Sequence, residues 1–367
     1  DMEGSRGLGD VYKRQSIYVW WFLQNIRFPV KYLISFTGYE QFCAGQDVSS
    51  CASMTEKLAK YQVYSVLDYA NEHARSAIDY DHNVAMVLET IEVAKNNTAY
   101  PFAVVKPSAI GSFNLYQKMG AGHKLTLSEQ LLWAAMQQRF EQLTNAAAQA
   151  AVVLMIDAEE SWIQGGVDLL VLPLLVKYNR DKVVLALTIQ LYLKDRKLVY
   201  KSLLKDADDK GYVLGVKLVR GAYMENERSR ATALNMSAPV CETKDATDMQ
   251  YRDALQNAMQ AVDKHFCIVA THNQSDINWV VDYCAENNIS LGNANLWFSQ
   301  LYGMRDYISF SLAKQGANVF KYVPFGPLAQ AVPYLIRRAL ENSAVKSQTL
   351  QECLMLKKEL RRRKLNG

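Results

Sequence analysis

The chain has 367 residues, of which 50% are hydrophobic, and it carries 41 Lys and Arg residues against 37 Asp and Glu residues. This composition excludes an intrinsically disordered or collagen-like chain, because half of the residues can build an apolar core. The six cysteines form no CxxC pair, which argues against a disulfide scaffold or a zinc site and predicts reduced thiols in a cytoplasm-like compartment. The length fits one large domain with short additions, or two modest domains.

The first 60 residues precede the regular part of the pattern. Residues 1–15 (DMEGSRGLGDVYKRQ) are polar and glycine-rich, which is typical of a leader or tag. Residues 16–60 begin with an apolar stretch that Gln24, Arg27 and Pro29 interrupt. A membrane-spanning helix needs about 20 mostly apolar residues, so we expect packed or surface-lying N-terminal helices instead.

Eight short apolar runs follow, separated by stretches with helical periodicity. Thr126 and Glu129 form a Thr-x-x-Glu capping box before the helix predicted over 127–150. Eight strands alternating with helices over about 260 residues predict an α/β fold, a TIM-type (βα)8 barrel. A doubly wound sheet is the alternative, but no GxGxxG motif follows a strand. The runs span residues 63–70, 101–110, 151–160, 183–192, 212–223, 266–273, 289–304 and 317–326, and further helices are predicted at 248–264, 275–287 and 333–342.

Nearly every apolar run ends in a polar side chain that would be costly inside a hydrophobic core. In a parallel barrel the carboxyl ends of all strands meet at one mouth, where active sites lie. One polar residue at a strand end is usually solvated or paired, but agreement across eight runs indicates a functional mouth. These residues are Asp68, Lys106, Asp157, Glu159, Glu160, Gln190, Tyr192, Lys217, Arg220, Tyr223, Thr271, His272, Asn273, Gln300, Tyr302 and Tyr322.

A pair of adjacent arginines, Arg337 and Arg338, lies on the helix predicted after the last strand. Neighbouring residues are about 100° apart around a helix, so both guanidinium groups can bind one small anion, and guanidinium suits bidentate carboxylate binding. Glu341 is four residues after Arg337 and can hold one of the two side chains in place. A solvated basic helix face is the alternative interpretation.

Several short motifs occur in order along residues 40–345: 42–45 (FCAG), 67–69 (LDY), 156–160 (IDAEE), 217–223 (KLVRGAY), 270–273 (ATHN), 300–304 (QLYGM), 322–326 (YVPFG) and 334–338 (YLIRR). Together they resemble the motifs of the monofunctional proline dehydrogenases. The resemblance implies a distorted (βα)8 barrel over residues 61–345, which binds FAD non-covalently without a Rossmann fingerprint. It implies oxidation of L-proline to Δ1-pyrroline-5-carboxylate by hydride transfer from C5 of proline to N5 of the flavin. It also implies that a membrane quinone takes the electrons from the reduced flavin.

The resemblance also implies roles for the substrate-binding residues. Lys106, Arg337 and Arg338 resemble the three cations that grip the carboxylate of proline. Asp157 resembles the acid that orients this cluster, and Tyr322 completes the implied catalytic set. The remaining implied substrate contacts are Leu301 and Tyr334, which with Tyr322 pack on the pyrrolidine ring, and Glu72, which resembles the acid that pairs with the first arginine as a gate.

The implied cofactor residues follow strands four, five and six. Lys217 stands where the bifunctional relatives have arginine, so it can donate to flavin N5 but not with two parallel hydrogen bonds. No metal ligand is implied. The implied FAD-binding residues are Gln190, Lys217, Arg220, Gly221, Tyr223, Thr271, His272, Asn273 and Glu341.

Other functions stay open as alternatives. A 4-hydroxyproline dehydrogenase is the nearest, although hydroxyproline-preferring relatives have a smaller residue in place of Tyr322. A Schiff-base lyase or aldolase would use Lys106 or Lys217 as its nucleophile. A catalytically inactive binding barrel would lack some of the clamp residues, and all of them are present. The sequence has no basic patch interleaved with aromatic residues at a recognisable motif, so nucleic-acid binding is not expected.

Residues 346–367 are predicted to form a basic helical tail. Residues 357–364 (KKELRRRK) hold six basic residues and one acidic residue, so the tail accounts for the net charge of +4. It is either a solvated end or a site of peripheral contact with anionic lipid, at about 1 kcal/mol per cation. We expect the bacterial cytoplasm, at the inner membrane, or alternatively the matrix side of the mitochondrial inner membrane. The length has no room for a fused aldehyde dehydrogenase domain, so a separate pyrroline-5-carboxylate dehydrogenase is the expected downstream partner.

Overall fold

The computed structural model describes residues 39–70, 74, 76–328, 331, 334, 335, 338, 357 and 360–362. The chain divides into two compact units, of which the larger is Phe42–Tyr334. The other unit comprises Asp1–Gln41 and Leu335–Gly367. The predicted leader, the N-terminal segment before residue 39 and most of the predicted helix 333–342 lie outside the described residues.

All eight predicted strands are present in the larger unit, which confirms that part of the prediction. Each strand is shorter than its apolar run, because the ends of the runs enter loops and helices. The first apolar run, 63–70, ends only one residue beyond its strand. The strands are β1 Val63–Tyr69, β2 Phe102–Val105, β3 Val153–Ile156, β4 Leu185–Gln190, β5 Gly215–Val219, β6 Phe266–Ala270, β7 Leu296–Leu301 and β8 Val319–Phe325.

Helices occupy the stretches between consecutive strands. The predicted capping box is confirmed, because Glu129 N donates to Thr126 Oγ1 at 3.3 Å and Thr126 N donates to Glu129 Oε2 at 2.8 Å. The predicted helix 248–264 begins earlier, at Lys244, because the Thr243 hydroxyl caps it. The helices are α1 Ala52–Ala59, α2 Ala77–Asn96, α3 Pro107–Ile110, α4 Phe113–Gly120, α5 Leu127–Ala150, α6 Ser161–Tyr178, α7 Arg196–Lys210, α8 Met224–Ala233, α9 Lys244–Gln260, α10 Gln274–Glu286 and α11 Asp306–Lys314, with short helical turns at Glu40–Phe42 and Ser49–Cys51.

The strands form one parallel sheet in the order β1-β8-β7-β6-β5-β4-β3-β2. The two edge strands, β1 and β2, share no ladder among the described residues, but Ser65 N donates to Ala99 O, just before β2, at 2.9 Å. The sheet is therefore nearly closed, and the predicted (βα)8 barrel is confirmed. The seam between β1 and β2 is its distorted part.

The side chains inside the barrel are aromatic at the amino ends of the strands and mostly charged or polar at the carboxyl ends. At the amino ends of the strands, the Phe102 ring packs at 5.7, 4.7 and 5.2 Å from the rings of Phe266, Trp297 and Phe320. Strand residues two apart face the same side, so every second residue of a strand faces the barrel interior. These interior residues form rows that run from the amino ends of the strands to the carboxyl ends. Those rows end in Asp68, Lys106, Asp157, Thr188, Lys217 and Tyr322.

Two further findings concern the described residues as a whole. No helix among them is long and apolar enough to cross a membrane. The cysteines among them are free and buried: Cys43, Cys51, Cys241, Cys267 and Cys284.

Candidate active site

The mouth of the barrel is organised around the carboxylate of Asp157, which follows β3. Lys217 Nζ, from β5, donates to Asp157 Oδ1 at 2.5 Å, and the Tyr322 hydroxyl, from β8, donates to Oδ2 at 2.7 Å. Lys106 Nζ, after β2, lies 3.7 Å from the same Oδ2. The structure thus brings three of the other predicted site residues together at this one acid.

The charges around Asp157 decide its protonation. Removal from water opposes ionisation, but the charges of Lys217 and Lys106, with hydrogen bonds from Lys217 and Tyr322, outweigh it and lower the pKa of the Asp157 carboxyl. Burial, followed by the charge of Asp157, raises the pKa of the Tyr322 phenol well above its ordinary value. The phenol therefore stays protonated and donates to an ionised carboxylate.

A second carboxylate at the mouth belongs to Asp68, at the end of β1, which forms an ion pair with Lys106. The sequence pattern marks Asp68 as a strand-end residue but predicts no role for it. The side chains of Asp68, Lys106, Asp157 and Lys217 are 6, 9, 15 and 7% exposed, and their charges alternate around the mouth. Each ammonium group faces a carboxylate, which compensates the cost of burying both charges.

Of the predicted wall residues, Tyr322 belongs to this cluster and Leu301 lies next to Tyr322 on the neighbouring strand. Leu301 on β7 pairs with Tyr322 on β8 in the strand register. Lys217 Nζ lies 4.6 Å from the centroid of the Tyr322 ring, which is cation–π geometry. The Tyr322 side chain therefore contacts Asp157 through its hydroxyl and Lys217 through its ring, so its orientation is held at two points.

Glu159 is a buried acid to which the sequence pattern assigned no role beyond its position. Its carboxylate accepts from Ser108 N at 2.8 Å and from Ser108 Oγ at 2.5 Å, and its backbone carbonyl accepts from Gln190 Nε2 at 2.6 Å. Burial raises the pKa of Glu159 to about 7, in spite of the bonds from Ser108. Gln190, a predicted cofactor residue, thus also fixes the loop after β3. In the sequence, Glu159 follows Asp157 by two residues, and this spacing was the feature that could have indicated that Glu159 also lies at the mouth.

Arg220, another predicted cofactor residue, binds acids on two neighbouring helices. Its Nε donates to Asp248 Oδ1 at 2.7 Å and its Nη2 to Asp276 Oδ2 at 2.6 Å. Its Nη1 donates to Thr271 Oγ1 at 3.0 Å, and its guanidinium carbon lies 4.5 Å from the centroid of the Tyr251 ring. These contacts tie the loop after β5 to β6, α9 and α10.

The next residue, Gly221, has a positive φ of 132°. A Cβ atom there would lie 2.2 Å from Cδ1 of Tyr192. Both the conformation and the close approach to the ring therefore require glycine. Tyr223, two residues later, is the N-cap residue of α8.

The three predicted cofactor residues after β6 have different partners. Thr271 Oγ1 accepts from Asn273 N at 3.1 Å as well as from Arg220. Asn273 Oδ1 accepts from Ser275 N at 2.9 Å and so caps α10. His272 Nε2 accepts from Leu301 N at 3.0 Å, so it is joined directly to the predicted wall of the substrate site.

Most of the remaining residues of the predicted arginine clamp lie outside the described part of the chain. Glu72, Arg337 and Glu341 lie outside the described residues. Arg338 is buried and belongs to the unit formed by the two ends of the chain, whereas Tyr334 is the buried last residue of the larger unit. Their roles stay predictions. Within the described residues, no group of three or more His, Cys, Asp or Glu side chains could hold a metal ion.

Comparison with known proteins gives a consistent set of similarities. A family model described as proline dehydrogenase matches residues 51–351. The carbapenem antibiotics biosynthesis protein CarD of Pectobacterium carotovorum subsp. carotovorum is 33% identical over 326 residues, which are 89% of this chain and 84% of that protein. Proline dehydrogenase 1, mitochondrial, of Dictyostelium discoideum is 31% identical over 379 residues, which are 91% of this chain and 66% of that protein.

Other relatives are much longer than the matched part. Human proline dehydrogenase 1, mitochondrial, is 36% identical over 251 residues, which are 66% of this chain and 41% of that protein. The crystal structure of proline utilization A (PutA) from Bdellovibrio bacteriovorus, inactivated by N-propargylglycine, superposes with a TM-score of 0.73 at 20% identity. That match covers 84% of this chain and 33% of the PutA chain, and at this identity it shows the fold alone.

Proposed function

The chain belongs to the proline dehydrogenase family, and we propose that it oxidises L-proline to Δ1-pyrroline-5-carboxylate. In this proposal FAD is bound non-covalently and a membrane quinone accepts the electrons. The observation that carries the proposal is the cluster at the barrel mouth, where Asp157 holds Lys106, Lys217 and Tyr322 together. This cluster places two cations and an aromatic ring where a barrel of this type binds small substrates.

The residues at the mouth fit a flavin. The hydroxyl of Thr188 is buried and has no hydrogen-bond partner among the described residues, although an unpaired buried hydroxyl is costly. Thr188 on β4 is in register with Lys217 on β5, so two polar groups lie side by side. The edge of an isoalloxazine ring carries carbonyl oxygens and nitrogens that match such groups. Bound FAD would supply the two-electron acceptor for the hydride that leaves C5 of proline.

The chain's own residues would bind and orient the substrate. An ammonium group has three donors, so Lys106 can bind a substrate carboxylate while it stays paired with Asp68. We propose that Arg337 and Arg338 supply the remaining charge, with Glu72 as a gate and Tyr334 at the ring. Tyr322 and Leu301 would pack on the ring and exclude water, and holding the reacting atoms in place lowers the barrier by several kcal/mol. We assign no general base.

The alternative Schiff-base chemistry has less support from the geometry. A nucleophilic lysine needs an uncharged amine. Lys106 is paired with Asp68 and Asp157, and Lys217 is paired with Asp157. These ion pairs favour an electrostatic role for both side chains.

The test uses the purified chain loaded with FAD and mixed anaerobically with L-proline. We expect a yellow protein whose flavin absorption bleaches on addition of proline, and slower bleaching with 4-hydroxyproline, because the Tyr322 side chain occupies the space a 4-hydroxyl would need. A colourless protein that borohydride traps covalently with a carbonyl substrate would instead establish the lyase. A protein that binds FAD but is not reduced by proline would refute the proposed substrate.

The location and partners are part of the same proposal. Among the described residues of the C-terminal tail, Lys357, Arg361 and Arg362 are exposed. We propose that residues 346–367 contact anionic lipid at a bacterial inner membrane or at the mitochondrial inner membrane, and that a separate pyrroline-5-carboxylate dehydrogenase takes the product. Sedimentation with phosphatidylserine vesicles, with and without residues 357–367, tests the contact, and equal binding of both proteins would refute it.

A further inference from the structure

A buried lysine outside the catalytic cluster has no role in the proposed chemistry. Lys321 lies on β8 directly before Tyr322, and its side chain is 0% exposed. Since neighbouring strand residues face opposite sides, and Tyr322 faces the interior, Lys321 faces the surrounding helices. An ammonium group in such a place is expensive unless it is paired. Its partners therefore indicate what it does.

Three of its partners belong to the segment 301–306, which we call the β7–α11 turn. Lys321 Nζ donates to the Met304 carbonyl at 2.6 Å and forms an ion pair with Asp306 Oδ1 at 2.7 Å. It also lies 3.5 Å from the Leu301 carbonyl. One ammonium group thus contacts the first residue of the turn, its fourth residue and the start of α11.

The β7–α11 turn has a backbone that needs outside support. Met304 N donates to the Leu301 carbonyl at 3.2 Å, which closes a tight turn. Gly303 has a φ of 73°, and Arg305 has a φ of 54°, in the left-handed region that is unfavourable for a residue with a Cβ atom. The contacts of Lys321 fall on both sides of Gly303.

The peptide groups of Leu301 connect this turn to the candidate site. Leu301 N donates to His272 Nε2 at 3.0 Å, while the Leu301 carbonyl faces Lys321. The Leu301 side chain is half-buried on the interior face, in register with Tyr322. The main chain of Leu301 is therefore held from the mouth side by His272 and from the helix side by Lys321.

We propose that Lys321 is a positioning residue that sets the place of Leu301, and with it the size of ring that the site accepts. This inference rests on the proposed function, because Leu301 and Tyr322 form the wall for the pyrrolidine ring only if proline is the substrate. Lys321 touches neither the substrate nor the cofactor in this proposal. It acts through the β7–α11 turn.

The kinetic test compares Lys321→Met with wild-type holoenzyme on L-proline and on L-pipecolate, the six-membered homologue. Loss of the charge-assisted contacts of Lys321 predicts a rise in KM for proline of about tenfold, with kcat changed by less than about threefold. The preference for proline over pipecolate in kcat/KM should fall by about tenfold, because the wall is no longer held. Lys321→Arg, which keeps the charge, should restore part of the preference.

Two matched variants separate positioning from general stability. Lys314→Met makes the same change at an exposed position of α11 and should behave as wild type. Val280→Ala shortens a fully buried side chain on α10, outside the turn, and should lower the melting temperature without changing the substrate preference. If Lys321→Met leaves KM and the preference unchanged, or if Val280→Ala alters the preference equally, the proposal is overturned.

A measurement without substrate keeps this proposal separate from the proposed function. Hydrogen–deuterium exchange over residues 296–310 should be about tenfold faster in Lys321→Met than in wild type, with β4 and β5 unchanged. Unchanged exchange in the turn refutes the positioning role, even in an active enzyme. Faster exchange in a chain that proline does not reduce would refute the ring-size role and the proposed function together, while the structural link would stand.

Discussion

The two ends of the barrel interior are built from the same strands but carry opposite kinds of side chain. At the amino end, Phe102, Phe266, Trp297 and Phe320 fill the barrel with aromatic rings. At the carboxyl end, on the same alternating rows, lie the ion pairs around Asp157. Apolar packing stabilises the amino end, and this contribution to stability does not depend on pH. At the carboxyl end, the attraction within each buried ion pair is offset by the cost of taking both charges out of water, so these pairs stabilise the fold little.

The difference shows where substitution should alter stability and where it should alter activity. A cavity in the aromatic layer removes contacts that water cannot replace. Removal of one charge at the mouth leaves another charge without its partner in a place that excludes most water. The following predictions test this division, beginning with the largest expected effect.

Phe102→Ala should lower the free energy of unfolding by about 3–5 kcal/mol, because the ring contacts three aromatic neighbours. Flavin reduction per folded molecule should change little, since the ring lies at the opposite end from the mouth. Urea unfolding and the anaerobic proline assay measure the two quantities. Ile78→Ala, at a position 81% exposed, is the control. A large loss of activity per folded Phe102→Ala molecule would contradict the division between the two ends.

Glu159→Gln should remove a pH dependence of stability. The pKa of Glu159 is about 7 in the folded protein, against an ordinary value of 4.5, so between these values the folded state holds a proton that the unfolded state has released. The wild type should therefore lose stability relative to Glu159→Gln as the pH rises from 4.5 through 7, by on the order of 3 kcal/mol. Unfolding curves at pH 5 and 7.5 measure this, and parallel curves would show that Glu159 does not titrate there.

Asp157→Asn should slow proline-dependent flavin reduction by roughly a hundredfold, about 2.7 kcal/mol. The amide keeps the shape of the side chain but not the charge that orients Lys106 and Lys217. Stopped-flow flavin reduction measures the change. Asp253→Asn on α9, which breaks a surface ion pair with Lys197, should leave the rate unchanged. Equal rates of flavin reduction for wild type and Asp157→Asn would show that the Asp157 charge has no part in the reaction.

Gly221→Ala should weaken FAD binding by about tenfold. This loss of affinity corresponds to about 1.4 kcal/mol of binding free energy, which we expect the displacement of the loop to cost. The added Cβ atom would collide with the Tyr192 ring, so the loop after β5 must move. Gly211, before β5 at the opposite end, also has a positive φ of 66° but nothing within 4 Å of an added Cβ atom. Gly211→Ala should cost about 1 kcal/mol of stability without changing the FAD titration. Equal FAD affinity in both variants would contradict the prediction.

The strand predictions show which features of a strand a local sequence pattern can predict and which it cannot. The run 101–110 contains both β2 and α3, because Pro107 begins a helix directly after Lys106 and an apolar run alone does not separate the two. Gln300 was expected at the mouth, but its Oε1 accepts from Ser309 Oγ on α11 at 2.7 Å, so the side chain faces the helices. Its neighbour Leu301 faces the interior instead. A one-residue difference in position exchanges the two faces of a strand.

The amino-acid sequence by itself determined the eight strands, the alternation with helices and the set of polar residues at the strand ends, because these depend on local periodicity and on short motifs. Only the tertiary structure decided the partners: Asp68 with Lys106, Asp157 with Lys217 and Tyr322, and Lys321 with the β7–α11 turn. Those pairs join residues far apart in the chain. Their contacts follow from strand order and register, which close the barrel and which no local pattern encodes.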